Sequence, residues 1–109
     1  MSLHVPAAPR TRNLIDASRL AAIKPDAVLI NTSRGGVVDE AALASALRAG
    51  KLAGAALDVF EREPLPAGSP LTDCPNLILT PHIAGVTRES NARVSTMIAT
   101  RVAAFLAAS

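Results

Sequence analysis

The chain has 109 residues, half of them apolar, and its eleven Lys and Arg outnumber nine Asp and Glu for a net charge of +2. That length fits one small domain with a modest core, and basic residues scattered singly, without aromatic neighbours to stack on bases, exclude a nucleic-acid surface. The single Cys74 excludes an internal disulfide, no His/Cys cluster offers a metal site, and there is neither an apolar run long enough to span a membrane nor a signal-peptide pattern, so the chain reads as a cytoplasmic protein.

Leu3 to Val5 closes a short strand, and the lack of a helix start or linker before it predicts a chain that begins mid-fold. Pro6 and Pro9 then force an extended loop through Arg12. Asp16 is placed to cap a helix over 17–23, with Leu20 and Ile23 on one face and Pro25 ending it. The run AVLIN at 27–31 is continuously apolar, as expected of a parallel strand covered by helices on both faces.

Gly35-Gly36 marks a sharp turn, after which Asp39 caps a helix over 40–49 that aligns Leu43 and Leu47. Gly50 stands where a left-handed C-terminal cap belongs. The next strand reads as 52–60, with Gly54 allowing close approach of a helix. Residues 61–76 hold Pro64, Pro66, Pro70, Pro75 and Gly68 and form a surface loop. Leu77 to Thr80 returns to the sheet, and Thr87 opens a long helix to about Ala107, striped by Val94, Ile98, Val102 and Phe105 and packed on more than one side. Strand and helix alternate, which predicts an α/β fold with right-handed crossovers around a parallel sheet.

Ligands of such sheets bind at the carboxyl ends of the strands, and polar clusters fall there: His4, Asn31-Thr32-Ser33-Arg34, Asp58 with Glu63, and His82. Arg34 has the planar fork that grips a carboxylate, or it ties a loop. His82 exchanges a proton near neutral pH, or it is a satisfied structural histidine; a carboxylate such as Glu63 beside it would fix its tautomer and favour imidazolium. Asp58 ends an apolar strand and needs a partner, either as a structural cap or as a cofactor contact. Glu61 reads as solvated, and His4 and Cys74 read as plain loop residues.

At these residues the chain resembles the D-isomer-specific 2-hydroxyacid dehydrogenases, a family that includes phosphoglycerate dehydrogenases and glyoxylate or hydroxypyruvate reductases. LHVP at 3–6, TRNLID at 11–16, KPDAVLINTSRGGVVDE at 24–40, GAALDVFEREPLP at 54–66 and NLILTPHIAGVT at 76–87 follow its pattern in order. The resemblance implies a partial Rossmann-like doubly wound sheet over 1–86, its second half only, followed by a helix over 87–109 that returns toward a substrate domain. It implies catalytic roles for Arg34, Glu63 and His82, with His82 moving the proton, Glu63 tuning it and Arg34 gripping the substrate carboxylate and carbonyl. It further implies NAD as cofactor, with NADP open, along Asn31, Thr32, Ser33, Arg34, Asp58, His82, Ala84 and Gly85 at the nicotinamide end. His4, Val5 and Pro6 would lie on the adenine or ribose side.

Two departures bear on activity. No GxGxxG stands in the chain, and no acidic residue follows one at ribose-binding distance. The resemblance therefore predicts an oxidoreductase fragment, acting in its parent on a small 2-hydroxy or 2-oxo acid, inactive alone, and either self-associating, as a homo-oligomer, or of poor stability because its last helix is exposed. The alternative is a cofactor-gated interaction module, since the same family includes transcriptional corepressors that keep these three residues.

Overall fold

The computed structural model describes residues 1–108 and shows four parallel strands hydrogen-bonded in the order in which they occur. They are β1 (Ser2–Leu3), β2 (Val28–Asn31), β3 (Gly54–Leu57) and β4 (Leu77–Leu79), linked by helices α1 (Ala17–Ala21) and α2 (Glu40–Arg48), with α3 (Arg88–Ala107) following β4. Leu3 pairs with Asn31, Asn31 with Leu57, and Leu57 with Leu79, so all four carboxyl ends are level.

The helix starts follow from local side-chain chemistry. Asp16, Asp39 and Thr87 each lie in extended backbone and accept an amide from three residues on, that of Arg19, Ala42 and Ser90 respectively. Helix α1 is shorter than its apolar pattern, because Pro25 disfavours helical geometry at Lys24 and the chain turns earlier, at Ala22. Residues 6–12 are not wholly extended: Pro9–Thr11 forms a 3₁₀ turn, and the Thr11 hydroxyl donates to the Pro6 and Ala8 carbonyls.

Strand lengths depend on neighbours. The stretch 52–60 forms strand only over Gly54–Leu57, the span in register with the four residues of β2, with single amide bonds from Ala53 to Ala27 and from Asp58 to Asn31 at its two ends. Gly54 does admit a close approach, though of a loop: a Cβ there would lie 2.9 Å from the carbonyl oxygen of Asn76.

Leu20, Leu29, Leu43, Leu47 and Leu57 pack into one core between the sheet and α1 and α2. The opposite sheet face is open. Burial alternates along β2, leaving Val28 44% and Ile30 38% exposed, and Ile78 of β4 is 66% exposed. Coverage of both faces by helices is thus corrected to one, because α3, the remaining α-helix among the described residues, has no buried residue. The expected packing of α3 on several sides is likewise absent among the described residues. Its long axis accounts for an elongated molecule of 59 × 27 × 26 Å.

Candidate active site

The carboxyl ends of β2, β3 and β4 deliver three polar loops side by side. In the first, Asn31 is 1% exposed and both ends of its amide are engaged within the loop: Nδ2 donates to the Arg34 carbonyl, while Oδ1 accepts from the amide and hydroxyl of Ser33. Asn31 therefore shapes the backbone that presents Thr32 and Arg34. Both are exposed, and the Arg34 guanidinium folds back on the Ser33 carbonyl at 2.7 Å.

Gly35 and Gly36 are required for different reasons. Gly36 sits at φ 73°, in the left-handed region open to glycine. At Gly35 a Cβ would fall 1.7 Å from the Phe60 carbonyl oxygen, so this glycine lets the loop after β3 lie directly on the loop after β2.

Asp58, the first residue past β3, is 3% exposed and organises the loop after β4. Its Oδ1 accepts the Thr80 hydroxyl at 2.5 Å and the Ile83 amide at 2.9 Å, and Oδ2 accepts the Ala84 amide at 2.9 Å. Burial works against its charge, yet these three donors outweigh that and hold its carboxyl below the ordinary 3.8. Of the two roles open for Asp58, the structure displays the structural cap. One donor on Oδ2 still leaves that oxygen acceptor capacity.

The loop so anchored carries His82 at φ 55°, an uncommon conformation for a residue with a side chain and one in which histidine is over-represented. His82 Nδ1 lies 2.8 Å from Glu63 Oε2, and Glu63 Oε1 accepts the Phe60 amide at 3.0 Å. Glu63 is thus held at both oxygens. The His82 bond first, and the Phe60 amide second, keep its carboxyl below the ordinary 4.5. His82 Nε2 has no hydrogen bond to a described residue. Both side chains are partly open to solvent, at 50% for His82 and 37% for Glu63. They line a cavity of about 530 Å³ with Phe60, Leu65, Leu79 and Thr80.

Glu63 and His82 are thus brought together. Arg34 does not line their cavity, and His4 lies outside it, its Nε2 2.8 Å from the Ser2 hydroxyl. Val5 is half-buried against the core edge, and the Pro6 carbonyl is taken by Thr11. Glu61 is paired rather than merely solvated, accepting from Arg12 at 2.5 Å. Cys74 is a half-buried loop residue whose thiol reaches the Pro70 carbonyl. Two residues had no signal in spacing or pattern: Thr80, which meets Asp58, and Glu40, whose Oε1 accepts the Glu61 amide at 2.6 Å. Among the described residues no three of His, Cys, Asp and Glu gather as metal ligands, and no helix is long and apolar enough to cross a membrane.

The nicotinamide end of a dinucleotide fits what is present. Thr32 and Arg34 are exposed at the strand ends, Asp58 retains acceptor capacity, and open space surrounds Gly85 where a Cβ would stand. The sequence holds no GxGxxG, and the Gly35-Gly36 turn between β2 and α2 does not reproduce that pyrophosphate-binding pattern.

Residues 1–84 match the family model for the D-isomer specific 2-hydroxyacid dehydrogenase, NAD binding domain. An (S)-sulfolactate dehydrogenase of Chromohalobacter salexigens is 61% identical over 95 residues, covering 87% of this chain and 31% of that protein. Among solved structures, a putative D-isomer specific 2-hydroxyacid dehydrogenase, NAD-binding, from Polaromonas sp. superposes with a TM-score of 0.89 at 33% identity, over 98% of this chain and 33% of that one. A D-isomer specific 2-hydroxyacid dehydrogenase from Xanthobacter autotrophicus Py2, in complex with NADPH and MES, gives a TM-score of 0.73 at 52% identity, over 79% and 28%. The chain spans about a third of the length of the relatives it matches.

Proposed function

Because this chain belongs to the D-isomer specific 2-hydroxyacid dehydrogenases, through their NAD-binding domain, we propose that it supplies the acid-base half of an enzyme interconverting D-2-hydroxy and 2-oxo acids. The observation that carries this reading is the His82–Glu63 contact at 2.8 Å beside a cavity at the strand ends. Glu63, fixed at both oxygens, accepts from Nδ1 and holds the imidazole in one tautomer. Nε2 is left to face the substrate, where His82 takes the hydroxyl proton on oxidation and returns it to the carbonyl oxygen on reduction. The Arg34 guanidinium swings from the Ser33 carbonyl to the substrate carboxylate and orients it by two parallel bonds.

Bound NAD or NADP supplies the hydride exchange at the substrate carbon. The backbone at 31–34, Asp58, His82, Ala84 and Gly85 would hold its nicotinamide end, and 4–6 the adenine or ribose side. Residues 1–86 form the second half of the cofactor domain, and 87–109 the helix leading toward a substrate domain. The parent's substrate is a small 2-hydroxy acid of the kind named for the Chromohalobacter relative.

The test places His82→Ala, Glu63→Gln and Arg34→Ala in the complete enzyme that carries this chain. His82→Ala is expected to lower kcat by ~10²–10⁴-fold, the usual contribution of a positioned acid-base group. Unchanged turnover in that variant defeats the proposal. The 109-residue chain alone lacks the pyrophosphate cradle, so calorimetry with NADH is expected to show no micromolar binding.

A further inference from the structure

Glu63 works only if the loop 60–63 stands still, yet that loop contains no helix or strand. Three contacts hold it from outside. Gly35 receives the Phe60 carbonyl, Arg12 reaches the Glu61 carboxylate, and Glu40, the first residue of α2, accepts the Glu61 amide at 2.6 Å. The Glu40 contact is the one made to backbone through a hydrogen bond, one residue beyond the Phe60 amide that itself pins Glu63. Its accepting end is rigid, because α2 is capped by Asp39 and buries Leu43 and Leu47 in the core.

We propose that Glu40 is a positioning residue for the Glu63–His82 pair: by holding the Glu61 amide it fixes the turn that places Glu63 against His82. The reach of a glutamate is the operative property. A side chain one methylene shorter on the same helical position leaves the amide unbonded, while a glutamine keeps the accepting oxygen. Burial is the main influence on Glu40 itself and pushes its carboxyl up; the Glu61 amide pulls the other way by bonding the carboxylate, and the Glu61 and Asp39 carboxylates add to the rise. This inference rests on the acid-base reading of Glu63 and His82 given above.

The experiment uses the 109-residue chain, ¹³C-labelled at glutamate and ¹⁵N-labelled at histidine. His82 has only His4 as a companion resonance. In Glu40→Asp, which retains an acid in the first turn of α2, the Glu63 carboxyl midpoint is expected to rise toward the ordinary 4.5, and the His82 ring shifts should move to those of a mixture of tautomers. In Glu40→Gln both are expected to stay as in the parent chain. In the complete enzyme Glu40→Asp should lower kcat about tenfold with KM unchanged, and the loss should vanish on a Glu63→Gln background, as for coupled residues. An unmoved Glu63 midpoint in Glu40→Asp overturns the inference, as does an equal rise in Glu40→Gln. Full turnover in Glu63→Gln instead overturns the acid-base reading and leaves the Glu40 result on the isolated chain standing.

Discussion

Asp58 shows how one buried side chain prepares a reactive one it does not touch. Its two oxygens accept Thr80, Ile83 and Ala84, the residues on either side of the turn that carries His82. Replacing Asp58 by Asn sets an NH₂ group against one of these N–H or O–H donors. The loss should be about 1–3 kcal/mol, the cost of a buried unpaired donor, read as a lower urea midpoint. Protonation acts on the same contacts. Asp58 and Glu63 both lie below their ordinary values of 3.8 and 4.5. Their contribution is therefore fully present above those values and is lost as pH falls through the lower folded ones. Glu40 runs the other way: its folded carboxyl is raised from 4.5, so folding is favoured by its proton and that share is lost as pH rises through the raised value. Urea melts from pH 7 to 3 should decline on the acid side, and the decline should be shallower in Glu63→Gln. An acid limb of unchanged steepness in that variant would remove Glu63 from the account.

Among elements, α2 does the most to join core and site. Leu43 is fully buried and Leu47 nearly so, so Leu43→Ala should cost about 2–5 kcal/mol, and loss of the Asp39 cap about 1 kcal/mol. Gly35, just upstream, tolerates no Cβ. In Gly35→Ala the Phe60 carbonyl must move, which should cost about 1–3 kcal/mol and also separate Glu63 from His82. A thermal melt together with the His82 ring ¹⁵N shifts checks both effects. These cases mark what a sequence discloses. The caps at Asp16, Asp39 and Thr87 were legible because a cap is settled within three residues. The span 52–60 was overread because strand length is set by partners, and β4 offers Ala55 to Leu57 only three. The Glu63–His82 pairing was legible from residue type and loop position. The Glu40–Glu61 bond was not, since 21 residues separate the two and neither stands out in composition.

At the scale of the whole molecule, the apolar residues fall into two sets that behave differently. One set is locked between the sheet and α1 and α2. The other lies open: Val28, Ile30 and Ile78 on the bare sheet face, and Val94, Met97, Ile98 and Val102 along α3. Apolar stripes of this size on a small protein mark contact surfaces, and a helix without a buried residue gains little of the tertiary packing that supplies most helical stability. Amides of α3 should therefore exchange with deuterium far sooner than those of α2. Removing residues 87–109 should then leave the melting temperature within the ~4 °C that about 1 kcal/mol produces in a domain of this size. The shortened chain keeps the bare sheet face yet sheds the α3 stripe, so light scattering across a concentration series should show a smaller apparent mass than for the full chain. A shortened chain that melts well below the full one would mean that α3 packs on the body in solution, and equal apparent masses would assign self-association to the sheet face instead.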